Sequence, residues 1–421
     1  MTSPAAIALL VRRSLRQHAL SSAVTVFATA LASGLVMAVF AIDAQARQAF
    51  IGAPVGFDAV LGARGSQLQL VLNTVFHLET SPGNIPWSLY QALRDDPRVQ
   101  LALPYAVGDN FRGFRIVGTT EELFTRFEPT PGTRLEIEPG GDRFDPTRRE
   151  AVVGGFAAAQ TGLRVGSRLH PSHGLSPAEH EEHDEEYVVV GVLRPTGGPI
   201  DRVIWIPIEG VFRMGGHELR GGGETYVPQP GVEIPDERKQ VSAVMLSLRG
   251  PTAGLALFEE FNRRRNDATL AWPISTVIGD LFNKIGWVNR VLTLVAYLTV
   301  VVSAGAILAA IYNTINERRR EFAILRALGA RRGTLWTAIV LESAAIAALG
   351  AICGLLIYAA IMMVAAEVIR AQTGVMIEIW KSGWVLLIVP IGMTAVGALA
   401  GLLPAWKAYA TDVSTNLSPT T

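Results

Sequence analysis

"LSSAVTVFATALASGLVMAVFAI", residues 20–42, runs for 23 residues without a charged side chain. A helix of about 20 apolar residues spans the hydrocarbon core of a bilayer. The feature recurs at residues 291–316, 343–366 and 382–406, each 24 to 26 residues long and equally free of charge. The 421-residue chain is 49% hydrophobic yet carries 37 basic and 37 acidic side chains, and most of that charge lies between residues 43 and 290. Such segregation is not the pattern of a uniform soluble domain. The expected fold class is therefore membrane α-helical, with four transmembrane helices and a large mixed α/β domain inserted between the first and the second.

Arg12, Arg13 and Arg16 precede the first span and "DAQA" follows it, which also fits a cleaved signal peptide. A signal's apolar region runs to about 7–15 residues, so the longer stretch here favours a retained anchor. Orientation follows from the Lys and Arg residues of the short flanks. Beyond the first span Arg47 stands alone. The second connection carries Arg318, Arg319, Arg320, Arg326, Arg331 and Arg332, whereas the third carries only Arg370 and Lys381. Both termini and the Arg-rich connection are expected in the cytoplasm. The expected order is an amphipathic cytoplasmic helix (1–18), a first span (19–45), an outer α/β domain (46–284) and a second span (285–316). A cytoplasmic loop (317–334), a third span (335–367), an outer loop (368–381), a fourth span (382–406) and a cytoplasmic tail (407–421) complete it.

Within residues 5–19, Ile7, Leu10, Val11 and Leu15 share one helical face and the arginines lie largely opposite, as in a helix resting on a membrane surface. In the outer region "PWSLYQALRDDPRVQLALPYAV" reads as a helix ended near Asp96-Pro97 and then a strand. "FRGFRIVGTT" reads as one strand closed by a Gly turn, and "EAVVGGFAAAQTGL" as strand then helix. "EYVVVGVLR" and "DRVIWIPIE" alternate as strands do, and "VSAVMLSLRG" is another strand. The Gly-, Pro- and charge-rich residues 213–240 read as a long exposed loop. The lone cysteine, Cys353, falls inside the third span, so the outer domain holds together without disulfides. Gly350 with Gly354, and Gly397 with Gly401, are small-xxx-small pairs that allow close helix approach.

No G-x-x-x-x-G-K, no G-x-S-x-G and no H-E-x-x-H occurs; "HEEH" at 180–183 is one residue short of the i, i+4 spacing that stacks two imidazoles on a helix face. No catalytic constellation is expected, and the chain is read as no enzyme. One polar stretch stands out. "HPSHGLSPAEHEEHDEEY", residues 170–187, holds four of the seven histidines: His170, His173, His180 and His183, ringed by carboxylates. Imidazole nitrogen with carboxylate oxygen suits zinc, and nickel or copper take the same ligands. Acidification would also charge the four histidines, which suits a pH sensor. A plain solvated loop joining strands at 165–169 and 187–193 fits as well.

The connection between the second and third spans reads "INERRREFAILRALGARRGTLWTAIVLESAAIAALGAICG". Phe322, Ile324, Leu325 and Leu328 give it an apolar face, Glu317, Arg318, Glu321 and Arg326 give it charge, and Gly329 ends the helix. That much apolar surface calls for a membrane face or a partner groove. The stretch resembles the E-R-x-x-E-x-x-x-L-R-A-x-G-A segment of the MacB/FtsX/LolC-type permeases of type VII ABC transporters. The matching positions are Glu317, Arg318, Glu321, Leu325, Arg326, Ala327, Gly329 and Ala330. "LESAAIAALGAICG", with Glu342 near one end, is similar to the family's third span, and "GLLPAWKAYATDVSTNL" resembles its closing segment.

The resemblance implies a permease of a bacterial inner membrane, working as a pair of copies and docked through Glu317, Arg318, Glu321, Leu325, Arg326, Gly329 and Ala330 onto a separate cytoplasmic ATPase. That partner would hold the ATP and Mg, leaving this chain without a cofactor of its own, zinc in the 170–186 loop aside. Only 18 residues precede the first span, so no fused ATPase is expected. The family's outer domains are thought to be moved by mechanotransmission, for export or for handling periplasmic cargo. The alternative is an FtsX-like regulatory protein that activates a periplasmic partner. Neither reading involves nucleic acid.

Overall fold

The computed structural model describes residues 4–51, 55–174, 183–215, 219, 225–229, 231–327, 329–373, 376–381 and 383–410. These fall into two compact units, one of residues 1–46, 285–367 and 378–421, the other of residues 47–284 with 368–377. Four helices are long and apolar enough to cross a membrane.

In chain order, α1 (Pro4–Gln17) and α2 (Ala19–Ile51) open the chain. The α/β unit follows with β1 (Ala59–Ala63), α3 (Gln67–Thr74), β2 (Ile85–Pro86), α4 (Trp87–Arg94), β3 (Val99–Phe111), β4 (Phe114–Thr119), α5 (Glu122–Thr125), β5 (Glu150–Val153) and α6 (Gly155–Thr161). It continues through β6 (Arg168–Leu169), β7 (Ser172–His173), β8 (Tyr187–Val192), β9 (Ile204–Pro207), α7 (Ile208–Phe212), β10 (Gln240–Val241), β11 (Ala243–Leu248), α8 (Pro251–Glu259) and β12 (Ala268–Ala271). Last come α9 (Ile274–Glu317), α10 (Arg319–Ala327), α11 (Arg332–Thr373) and α12 (Gly383–Ala410).

Ten of the described strands form a mixed sheet in the order β12-β1-β11-β3-β4-β9-β5-β8-β6, with β7 paired to β3 off this path, and β2 and β10 pair in a second, two-stranded sheet. The β4–β9 and β5–β8 pairs are parallel and the others antiparallel. Side chains alternate across a strand, and here both faces are covered. Leu61, Val244, Leu246, Ile204 and Ile206 enter one core; Val60, Met245, Val203 and Trp205 enter the other. β9, expected from the sequence to alternate, is therefore buried on both faces, as β11 very nearly is. "FRGF" is a hairpin rather than part of one strand. Arg112 (φ 50°) and Gly113 (φ 83°) both occupy the left-handed region, as the central residues of a type I′ turn do. The 170–186 stretch is not wholly loop either: Ser172 and His173 form β7, paired antiparallel with Asn110 and Asp109 of β3.

In the helical unit, Ile307, Ile311 and Ile315 of α9 pack with Ile339, Ile346 and Ala347 of α11 and Ala405 of α12, and Leu15 of α1 joins them. The small residues mark the tightest approaches. A Cβ on Gly350 would meet Thr29, and one on Gly354 would meet Ser33 and Ala30, all on α2; one on Gly397 would meet Ala347. Both small-xxx-small pairs are thus used inside the bundle. Outward, α9, α11 and α12 expose Val301, Leu356 and Leu387, each by two thirds or more. Helices with satisfied backbones and apolar outer faces are what a hydrocarbon solvent requires.

Candidate functional site

Two groups of polar side chains stand out, one in each unit. In the helical unit the centre is Arg318, between α9 and α10 and 8% exposed. Its Nη1 donates to Ser14 Oγ of α1 at 2.7 Å and its Nε donates to Glu321 Oε2 at 2.8 Å. The guanidinium carbon lies 5.2 Å from the centre of the Phe322 ring. Ser14, itself buried, donates to Glu342 Oε1 of α11. One guanidinium and one hydroxyl therefore tie together α1, α10 and α11. His18 Nδ1, 3.2 Å from Glu317 Oε2, adds a second contact beside them. The hydrogen bond from Arg318 holds the Glu321 carboxyl below the usual carboxylate range.

The end of α10 follows from its last residues. Gly329, at φ 96°, donates its N–H to Arg326 O, and Ala330 donates to Leu325 O, both at 3.0 Å. This is a Schellman stop, which a glycine in the left-handed region permits. Of the seven positions that the family resemblance implies for ATPase docking, Glu317, Arg318 and Glu321 meet around the Arg318 centre. Leu325, Arg326, Gly329 and Ala330 build the helix stop. Phe322 packs inward while Ile324 is 46% exposed; Leu328 lies outside the described residues. Ser14 carried no sequence signal, since a serine on an amphipathic helix is unremarked until its partners are known.

In the α/β unit Asp109, His173 and His183 converge. Asp109 Oδ1 lies 3.2 Å from His173 Nδ1 and 3.1 Å from His183 Nε2, and the imidazoles meet edge to face with centroids 4.2 Å apart. Asp109 is 1% exposed and the His183 side chain 4%, while the His173 side chain keeps 35%. Local backbone structure fixes all three. A bulge between Val107 and Asp109 shifts the register of β3 against β4 and re-aims Asp109. Gly174 donates its N–H to Gly108 O at 3.1 Å, Asn110 Nδ2 donates to Gly174 O at 2.9 Å, and His183 donates its N–H to Pro171 O at 2.9 Å. Tyr187 lies close by: burial pushes its phenol up, and the charges of Glu185 and Asp109 add to that effect.

Of the four histidines singled out in the sequence, His173 and His183 come together. His170 stands apart on the surface, its Nε2 3.8 Å from Glu186 Oε2, and His180 lies outside the described residues. Asp109 was not singled out.

Residues 22–252 match the family described as MacB-like periplasmic core domain, and residues 293–413 match the FtsX-like permease C-terminal family. No curated protein matches the sequence. Among solved structures, the periplasmic region of MacB from Actinobacillus actinomycetemcomitans is similar at 12% identity, over 55% of this chain and 94% of that one, with a TM-score of 0.34. The extracellular domain of the noncanonic ABC-type transporter YknZ from Gram-positive bacteria is similar at 12% identity, over 50% and 97%, with a TM-score of 0.28. The core-domain match alone spans more than half of the chain, and with the four membrane-crossing helices and the α/β domain between the first two it places the protein in the MacB/FtsX-type family of ABC transporter permeases.

Proposed function

We propose that this permease couples ATP hydrolysis by a separate cytoplasmic ATPase to movement of its periplasmic domain, for export or for periplasmic cargo handling. Two copies work together in a bacterial inner membrane, with both termini and α10 on the cytoplasmic side. ATP and Mg belong to the partner. A zinc link would run through the Asp109 cluster of the periplasmic domain.

The observation that carries this reading is the Arg318 centre. A helix that only rested on lipid would need no buried guanidinium binding it to α1 and, through Ser14, to α11. Buried, hydrogen-bonded charge is costly unless well paired, and once paired it holds elements in one arrangement. A push on α10 is then passed to two further helices. Ile324, exposed on α10, and the surrounding Arg and Glu residues supply a surface for an ATPase groove, with charge-assisted contacts at its rim.

The test is to copurify the ATPase with the wild-type permease and measure permease-stimulated ATP hydrolysis. Leu325→Asp and Gly329→Pro are each expected to lower both copurification and stimulation while leaving the permease in the membrane. Unchanged values in both variants would reject the reading. Orientation is tested in a Cys353→Ser background: Gly140→Cys is expected to react with an impermeant thiol reagent from outside, and Gly333→Cys only after the membrane is breached.

A further inference from the structure

We propose that Asp109, His173 and His183 bind a divalent transition metal, zinc by the chemistry of the donor set. In doing so they tie His173 and His183 to β3.

The geometry carries the argument. In a tetrahedral zinc site with bonds of about 2.0–2.1 Å, neighbouring donor atoms lie roughly 3.3 Å apart. The two Asp–His edges here are 3.2 and 3.1 Å, and all three donor atoms lie within 4.8 Å of one another. A metal placed among them needs only small side-chain adjustments. Two imidazole nitrogens and one carboxylate oxygen form a set that zinc accepts readily. Three protein donors leave one coordination position over, as in zinc sites that keep a water or an exchangeable ligand rather than closed structural ones.

The backbone around the donors is fixed before any metal arrives. His173 faces Asp109 directly across the β3–β7 pair. The bulge at Gly108, the Asn110 bonds to the end of β7 and the His183–Pro171 bond hold the three Cα positions. A site whose supporting contacts pre-exist loses little entropy on binding. The partial exposure of His173 gives an ion access to a carboxylate that is otherwise closed off.

His173 and His183 bracket residues 174–182, so a bound ion would join the two ends of that segment to each other and to β3, the longest strand of the sheet. Metal occupancy therefore adds a coordinate cross-link between His173, His183 and β3 to the hydrogen bonds already present. The proposal is independent of ATPase coupling; either can fail without the other.

The test uses the full-length protein in detergent, purified on a histidine-free tag and stripped with chelator. Zinc is titrated against a chromophoric competitor, and cobalt(II) is used to report coordination geometry. Copper(II) binds most such sets more tightly, so affinity alone does not identify the site. The wild type is expected to take up about one zinc per chain and to show the strong visible bands of tetrahedral cobalt. Asp109→Asn, His173→Ala and His183→Ala should each weaken binding at least about 100-fold, since even outer-sphere losses cost 10–100-fold. His170→Ala should leave it unchanged. A wild type that takes up no zinc, or His173→Ala and His183→Ala variants that bind as it does, would overturn the proposal and leave a hydrogen-bonded Asp–His cluster. Should the variants not fold, the wild type still decides. Zinc must protect the partly exposed His173, but not His170, from diethylpyrocarbonate as mapped by mass spectrometry; equal modification of His173 with and without zinc overturns it.

Discussion

Replacing Arg318 with alanine removes the one cation that touches both Ser14 and Glu321. The two contacts differ in worth. Glu321 is 48% exposed in its side chain, so its ion pair contributes at most about 1 kcal/mol. The bond to Ser14 is buried and charge-assisted, worth about 1.5–3 kcal/mol. With the packing of the guanidinium over Phe322 also lost, Arg318→Ala should destabilise the helical unit by about 3 kcal/mol. Ser14→Ala should cost about 2 kcal/mol, since it deprives both Arg318 and Glu342 of a partner. The Arg318–Ser14 bond is counted in each, so the double variant should fall short of the sum by about 1.5 kcal/mol. The assay is equilibrium unfolding of the full-length protein in mixed micelles, followed by far-UV circular dichroism, which the long helices dominate. Arg318→Lys tests geometry against charge: a single ammonium cannot reproduce the fork that reaches two acceptors, so it should recover only part of the loss. Additivity of the two single variants to within about 0.5 kcal/mol, or full recovery by lysine, would refute the argument that this bond joins the helices.

Gly354→Ala should destabilise the bundle by about 1–3 kcal/mol, because its Cβ would sit 2.9 Å from Ser33 Cβ and 3.0 Å from Ala30 O. Gly392→Ala in α12, where a Cβ meets nothing within 4 Å, should be neutral or slightly stabilising; equal effects in the same unfolding assay would contradict this. His77 is held well below the ordinary imidazole range, by burial first and then by the charges of Arg115 and Arg202. The unfolded chain therefore binds a proton that the folded one does not as pH falls below about 6.5, and stability drops over that interval. His77→Asn, whose side chain suits the positive φ at this position, should flatten the unfolding midpoint between pH 7 and 5, measured in chelator; an unchanged slope would reject the assignment.

The membrane helices were legible because hydrocarbon thickness imposes a minimum length that composition alone reveals. The end of α10 was legible for a comparable reason: few residues other than glycine adopt φ 96°, so Gly329 announces the stop. The β3–β4 hairpin was not. "FRGF" places its turn inside a run of apolar and basic residues, and Arg at the first central position is not the Asn or Asp that usually marks a type I′ turn. The Arg318 centre was half legible. Its arginine and glutamates stand in the motif, but the serine that connects them belongs to a helix some 300 residues earlier.

The Asp109–His173–His183 cluster depends on a rule the histidine spacing conceals. His170 and His173 look like a pair because H-x-x-H places both rings on one side of a helix. In extended chain side chains alternate, so residues three apart point to opposite faces. β7 holds only Ser172 and His173, so His173 lies across from Asp109 of β3, while His170, outside the strand, faces Glu186. The partner for His173 must then come from the strand it pairs with, and the residue across from it is Asp109. In sequence Asp109 reads as punctuation, the middle of "GDN" near the end of an apolar strand. It becomes a buried donor only because the bulge after Val107 shifts its register. The short β3–β7 pairing plus one extra residue in β3 thus brings a buried carboxylate, rather than the surface His170, into the candidate site. Deleting Gly108 would test that directly: Asp109 would then follow Val107 in a regular ladder and keep its place opposite Ile116, so the three donors should stay together and zinc uptake should survive. Loss of uptake in a folded deletion variant would mean that the site needs the local distortion at Gly108 and not only the register it sets.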